Sequence, residues 1–217
     1  MAIGLSNEEQ IQRSVSLLHA ARLVKNAERG STKEVREALA TGVDANCAND
    51  AGKLPLHTAV QSGHHEVVTL LLNARADANL SEPAPSGALA TQLAAWQGKE
   101  SIVRLLLDAG ARPNTADGHG WTPLVSATKR GHTATMRLLL DRGAKPGRKA
   151  VVEGRETTAL QVARESGNRR SVEIITEALD RPRCGAVGRW QCLASRLCAP
   201  CGAGRQAGRS ASKMSNA

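Results

Sequence analysis

Apolar positions in this chain come in short paired bursts. In residues 52–79, GKLPLHTAVQSGHHEVVTLLLNARADAN, the turn glycine Gly52 leads into a short apolar helix from Pro55 to about Ser62. Gly63 stops it, and a second helix from about His65 to Asn73 carries Val67, Val68, Leu70, Leu71 and Leu72. Asp77 and Asn79, polar turn formers, close the unit. Neither helix is long enough to persist alone in water, so each must bury its apolar face on a neighbour. The neighbours are copies. The glycine between the helices recurs as Gly30, Gly63, Gly98, Gly131 and Gly167, in steps of 33, 35, 33 and 36. Soon after each glycine an apolar run begins: Val35 with Leu39, Val67 with Leu71, Ile102 with Leu106, Met136 with Leu140, Val172 with Ile175. Seven residues before each sit Leu23, Leu56, Thr91, Leu124 and Leu160. A period near 33 with two helices per unit predicts an all-α repeat array rather than a globule around one core.

Several fixed positions agree in several units, and together they resemble a known family. Thr122-Pro123-Leu124 and Leu54-Pro55-Leu56-His57 resemble the T-P-L-H signature of ankyrin repeats. Gly63-His64 and Gly131-His132 resemble the family's inter-helix pair, and Leu105-Leu106-Leu107 with Gly110-Ala111, and Asp77 with Asn79, resemble its unit ending. The resemblance covers residues 23–179 and implies a helix-turn-helix solenoid of about five repeats, near 23–51, 52–86, 87–119, 120–155 and 156–180. Residues 1–22 precede it. They belong to the N-terminal cap: residues 6–29, without Gly or Pro, read as one long helix or two abutting ones, with Ser6 and Glu9 spaced as a capping box and Ile11, Val15 and Leu18 on one face, shielding the open end of the stack.

Departures from the repeat carry their own expectations. Leu54 stands where a threonine would cap the helix, which loses about 1 kcal/mol. Arg75 replaces the glycine after the second helix and costs on the order of 1 kcal/mol if the backbone there is left-handed. Ser81 to Ser86 hold two extra residues, and Pro83 and Pro85 rule out a long hairpin ladder. Arg148 to Glu156 form a longer, mostly charged approach to the fifth unit.

Composition adjusts the picture. With three Trp and no Phe or Tyr, the core must be built from Ala, Val and Leu, which suits stacked helices. The net charge is +9, but seven basic residues and no acid lie from Arg181 onward, so the repeats themselves are nearly balanced. Residues 181–217, rich in Gly, Ala, Ser and Arg, read as a disordered basic tail. No secretory signal or membrane span is visible, which points to an intracellular, cytoplasmic or nuclear setting and reduced cysteines.

No catalytic motif stands out. His57, His64, His65 and Cys47 could suggest a Cys–His pair, but the resemblance places His57 and His64 at structural positions, where the ring can hydrogen-bond the backbone of a neighbouring loop, and Cys47 follows Asn46 in a loop. No enzyme and no cofactor is expected. The resemblance implies protein recognition on a concave face lined by inner helices and loop tips. Its variable contact positions fall here on Asp50, Ala51, Lys53, Gln61 and Ser62, then Pro85, Ser86, Ala88, Trp96 and Gln97. They continue at Gly118, His119, Trp121, Lys129 and Arg130, then Gly154, Arg155, Thr157, Glu165 and Ser166. Trp96, Trp121, Lys129 and Arg130 suggest a patch for an apolar side chain flanked by acids. In the alternative each Trp folds down and covers the helix beside it. The expected partner is a protein with an acidic and apolar surface, and the chain is expected to be monomeric. A competing role lies in the tail, where Cys184, Cys192, Cys198 and Cys201 could hold zinc and the arginines could attract nucleic acid.

Overall fold

The computed structural model describes residues 7–83, 87–152 and 154–180. They form ten helices and one hairpin: α1 (Asn7–Arg29), α2 (Thr32–Ala40), α3 (Pro55–Ser62), α4 (His65–Asn73), α5 (Ala90–Gln97), α6 (Glu100–Asp108), α7 (Pro123–Arg130), α8 (Thr133–Asp141), β1 (Lys149–Val152), β2 (Arg155–Thr158), α9 (Ala159–Glu165) and α10 (Arg169–Asp180). Two layers result. The odd-numbered helices pack on one another in chain order, the even-numbered helices do the same, and each odd helix packs on the even helix that follows it.

The core is continuous along the stack. Leu23, Val35, Leu71, Ile102, Leu106, Met136, Leu139 and Ile175 are all but fully buried. Four residues before four of the inter-helix glycines sit Ala59, Ala94, Ala127 and Ala163, none of them exposed. Methyl side chains there let the inner helices approach closely, and the larger aliphatics of the outer helices fill the remaining space. This is how the domain dispenses with buried Phe and Tyr.

Polar side chains tie unit to unit on both edges. On one edge, Asn46 donates from Nδ2 to the carbonyl of Arg75 and accepts from the amide of Asp77. Asn79 does the same with Gly110 and Arg112, and Asn114 with Gly143 and Lys145. On the other edge, the residue after three of the inter-helix glycines, Gly63, Gly98 and Gly131, reaches back to the end of the preceding inner helix. His64 Nε2 meets the Glu28 carbonyl and His132 Nε2 the Trp96 carbonyl, each at 3.0 Å. Lys99 replaces the histidine and donates from Nζ to the carbonyls of Val60 and Gln61, where the helix dipole favours a cation. Gly98 shows why glycine precedes this residue. Its φ is +71°, and a Cβ there would lie 2.5 Å from the His132 ring.

Arg75 lies at φ +65°, whereas the equivalent Gly110 and Gly143 lie at +90°. The left-handed backbone expected from the sequence is present. Arg75→Gly should therefore raise stability by about 0.5–1 kcal/mol, the relief of strain less the greater freedom of glycine in the unfolded chain. A urea midpoint no higher than the parent's would contradict this.

Three features differ from expectation or refine it. First, of the one long helix or two abutting ones expected, the chain forms one, α1 (Asn7–Arg29). Ala20, Leu23, Val24 and Ala27 form its buried stripe, while Val15 and Leu18 are 42 % and 68 % exposed. Val15 and Leu18 therefore do not shield the stack, because they lie on the side of α1 away from that stripe. The Ser6–Glu9 capping box falls outside the described residues, as does the side chain of Ile11. Second, the charged approach to the fifth unit is an antiparallel hairpin, with Lys149 opposite Thr158 and Val152 opposite Arg155. Its two-residue connection ends in Gly154 at φ +78°, and the Lys149–Glu156 ion pair spans it at 2.8 Å. Third, Leu54 makes no side-chain cap, as expected, whereas Thr122 accepts from the Val125 amide and Thr158 forms a capping box with Gln161. Leu54 is nevertheless buried, which offsets part of the missing cap. Among the described residues, the proline-containing tip of the third unit holds the isolated Ser81–Leu89 bridge.

Candidate protein-binding face

The loop tips are set by a repeated polar turn. Asn49 donates its amide to the Lys53 carbonyl and accepts on Oδ1 from the amides of Ala51 and Lys53. Asp117 repeats this with His119 and Trp121. Its second oxygen accepts from the side chain of Gln92, a largely buried residue of α5. The fourth tip is thereby fastened to the third unit, and with it the backbone that presents Trp121.

Trp96 projects from the last turn of α5. Its ring meets that of Trp121 edge-on, with centroids 5.8 Å apart and planes at 76°. The Arg130 guanidinium, at the end of α7, lies 4.9 Å from the Trp96 ring centroid, a cation–π distance. Trp96 remains 38 % exposed, while Trp121 is half-buried and packs against the core. Trp121 folds down, and Trp96 stands on it with its outer surface open.

Of the other candidates, Lys129 is exposed next to Arg130. Gln97 and Gln61 are brought together, Gln97 donating to the Gln61 carbonyl at 3.1 Å. Lys53, His119 and Arg155 are exposed on their own tips, and among the described residues no side-chain hydrogen bond or ring contact joins them to the tryptophan cluster. Pro85 and Ser86 lie outside the described residues, as do Cys184, Cys192, Cys198, Cys201 and the rest of the tail. Gln92, Asp117, His132 and Lys99 position the face but escape a reading of contact positions alone. A signal existed for Asp117, which precedes Gly120 by three residues, as Asn49 precedes Gly52.

Two titratable groups of the repeats are shifted by burial. His57 is 1 % exposed, and its Nε2 meets the Ala88 carbonyl at 3.0 Å. Burial pushes its pKa down to about 4, against partial opposition from the backbones of Ala88 and Leu80. Burial and the nearby Asp44 carboxylate raise the pKa of the Cys47 thiol, the opposite of what a nucleophile needs. Among the described residues, no group of three or more His, Cys, Asp or Glu could hold a metal, and no helix is long and apolar enough to cross a membrane.

Comparison with known proteins agrees with this architecture. The family model described as ankyrin repeats (3 copies) matches residues 17–82 and 91–182, and the chain belongs to the ankyrin repeat family. Repeats of this family are generally protein-interaction modules. The chain is 36 % identical over 99 residues to human ankyrin repeat and SOCS box protein 3, covering 45 % of this chain and 19 % of that protein. It is 35 % identical over 100 residues to Drosophila melanogaster E3 ubiquitin-protein ligase Ufd4, covering 46 % of this chain and 4 % of that protein. With rat cyclin-dependent kinase 4 inhibitor B it shares 33 % identity over 112 residues, 52 % of this chain and 85 % of that one. The chain thus spans a fifth or less of the first two relatives.

Proposed function

We propose that the stack binds a partner protein on the face formed by its inner helices and tips, with Trp96, Trp121 and Arg130 at the centre. The observation that carries this is the ring cluster. A tryptophan held edge-on by a second ring and topped by an arginine, yet left open to solvent, is a preordered anchor. An apolar side chain of the partner would lie on the open surface of Trp96. Arg130 and Lys129 would take acidic groups beside it, the planar guanidinium keeping donors free at its rim. Because Asp117 and His132 already fix the backbones that carry the rings, little side-chain entropy is lost on docking. The role is that of a scaffold, adaptor or inhibitor. The likeness to cyclin-dependent kinase 4 inhibitor B supports inhibitor among the three.

The test is affinity for a captured partner, compared between the parent and the Trp96→Ala/Trp121→Ala double variant. Affinity should fall tenfold or more while the helical circular dichroism is retained, as expected of hot-spot residues. Unchanged affinity would remove the cluster from the binding face. Deleting residues 181–217 separates this role from one in the tail, and binding should survive the deletion.

A further inference from the structure

The N-terminal end of the stack has an open face. Ser14 to His19 are exposed on every side of α1, and three of the six large apolar side chains exposed among the described residues fall there: Val15, Leu17 and Leu18. Leu17 lies on the flank. Val15 and Leu18 belong to a seam opposite the buried stripe, which extends at alternating spacings of three and four to Glu8, Ile11, Arg22 and Lys25. Glu8, Arg22 and Lys25 are exposed as well. This is a coiled-coil pattern with a short apolar middle, an acid at one end and bases at the other. Beside it, a groove of about 400 Å³ runs between α1 and α2, lined by His19, Arg22, Glu34, Glu37, Ala38 and Val43.

We infer that α1 pairs antiparallel with α1 of a second copy, joining two stacks at their N-terminal ends. The charges select the occupant and its direction. In the antiparallel register Val15 faces Leu18 of the second copy and Glu8 faces Lys25 of the second copy. The early turns of each α1 then run beside the other's groove. A parallel register would set Glu8 against Glu8, Arg22 against Arg22 and Lys25 against Lys25. The pairing also covers exposed apolar residues on a stretch of helix too short to persist well unaided. One helix pair and a groove form a small interface, so the dimer is weak and concentration-dependent. The proposed dimer differs from the monomer expected from the sequence.

Sedimentation equilibrium of the full chain over a wide concentration range tests this. The average mass should rise from 22.8 kDa toward twice that value. Leu18→Glu, at an exposed position that cannot disturb the core, should raise the dissociation constant tenfold or more. Glu8→Lys and Lys25→Glu should each weaken pairing about threefold, and the double exchange should restore it. A mass that stays monomeric at all concentrations overturns the inference. So does a dimer indifferent to Leu18→Glu, or charge variants whose combination fails to restore pairing.

Discussion

Leu106→Ala should lower the unfolding free energy by about 3 kcal/mol, within the range for large-to-small changes in a closed core. Leu106 is fully buried on α6, which packs against α4 on one side and α8 on the other. Its own unit has little to spare. The inner helix α5 contributes Ala90, Ala94 and Ala95 as buried apolar residues, so the apolar weight rests on Ile102, Val103 and Leu106. In a stack each unit touches only its neighbours, and stability is close to a sum of units and interfaces. A cavity in the third unit therefore weakens two interfaces at once. Against a total of about 5–15 kcal/mol, the loss is large enough to separate the two halves of the array. Urea unfolding followed by circular dichroism should show a lower midpoint and a broader transition than the parent. A loss under about 1 kcal/mol would mean that the neighbouring helices close over the vacancy.

What could be read from the sequence follows from where its signals act. The repeat was legible because its punctuation is local: a left-handed glycine ends each of α3, α5 and α7, and a polar side chain from the next unit, Lys99, His132 or Asn168, lies over it. The orientation of α1 was not legible. Helical periodicity finds two apolar stripes there, Val15 with Leu18 and Leu23 with Ala27, and only packing decides which one meets α3. The hairpin β1–β2 carried a signal in Gly154 between two β-branched runs, but its flanking charges read as loop. At the candidate site, spacing puts Trp96 and Trp121 on adjacent units. Their contact depends on the turn that Asp117 holds and on Gln92 fastening that turn, a tertiary fact with no local trace.

Lowering the pH from 7 to 5 should cost the domain about 2 kcal/mol through His57 alone. In the unfolded chain a histidine titrates near 6.5, and in the fold burial holds His57 to about 4. Between those values the unfolded chain binds the extra proton, so stability rises with pH across this window and falls as the pH drops. The contribution is complete above about 6.5. It declines to a total loss of roughly 3 kcal/mol by pH 4, at about 1.4 kcal/mol per unit. Carboxylates add little above pH 5, because most are still ionised in both states. The ring links α3 to the third tip through the Ala88 carbonyl, so the loss falls at the junction of the second unit with the third, the unit that carries Leu106. His57→Gln offers a donor to the same carbonyl but cannot take up the proton. Its absolute stability will differ, but the informative quantity is the pH slope. Urea midpoints at pH 7 and pH 5 should diverge in the parent and nearly coincide in the variant. Equal declines in the two proteins would mean that the His57 ring takes up its proton within the folded stack at the same pH as in the unfolded chain.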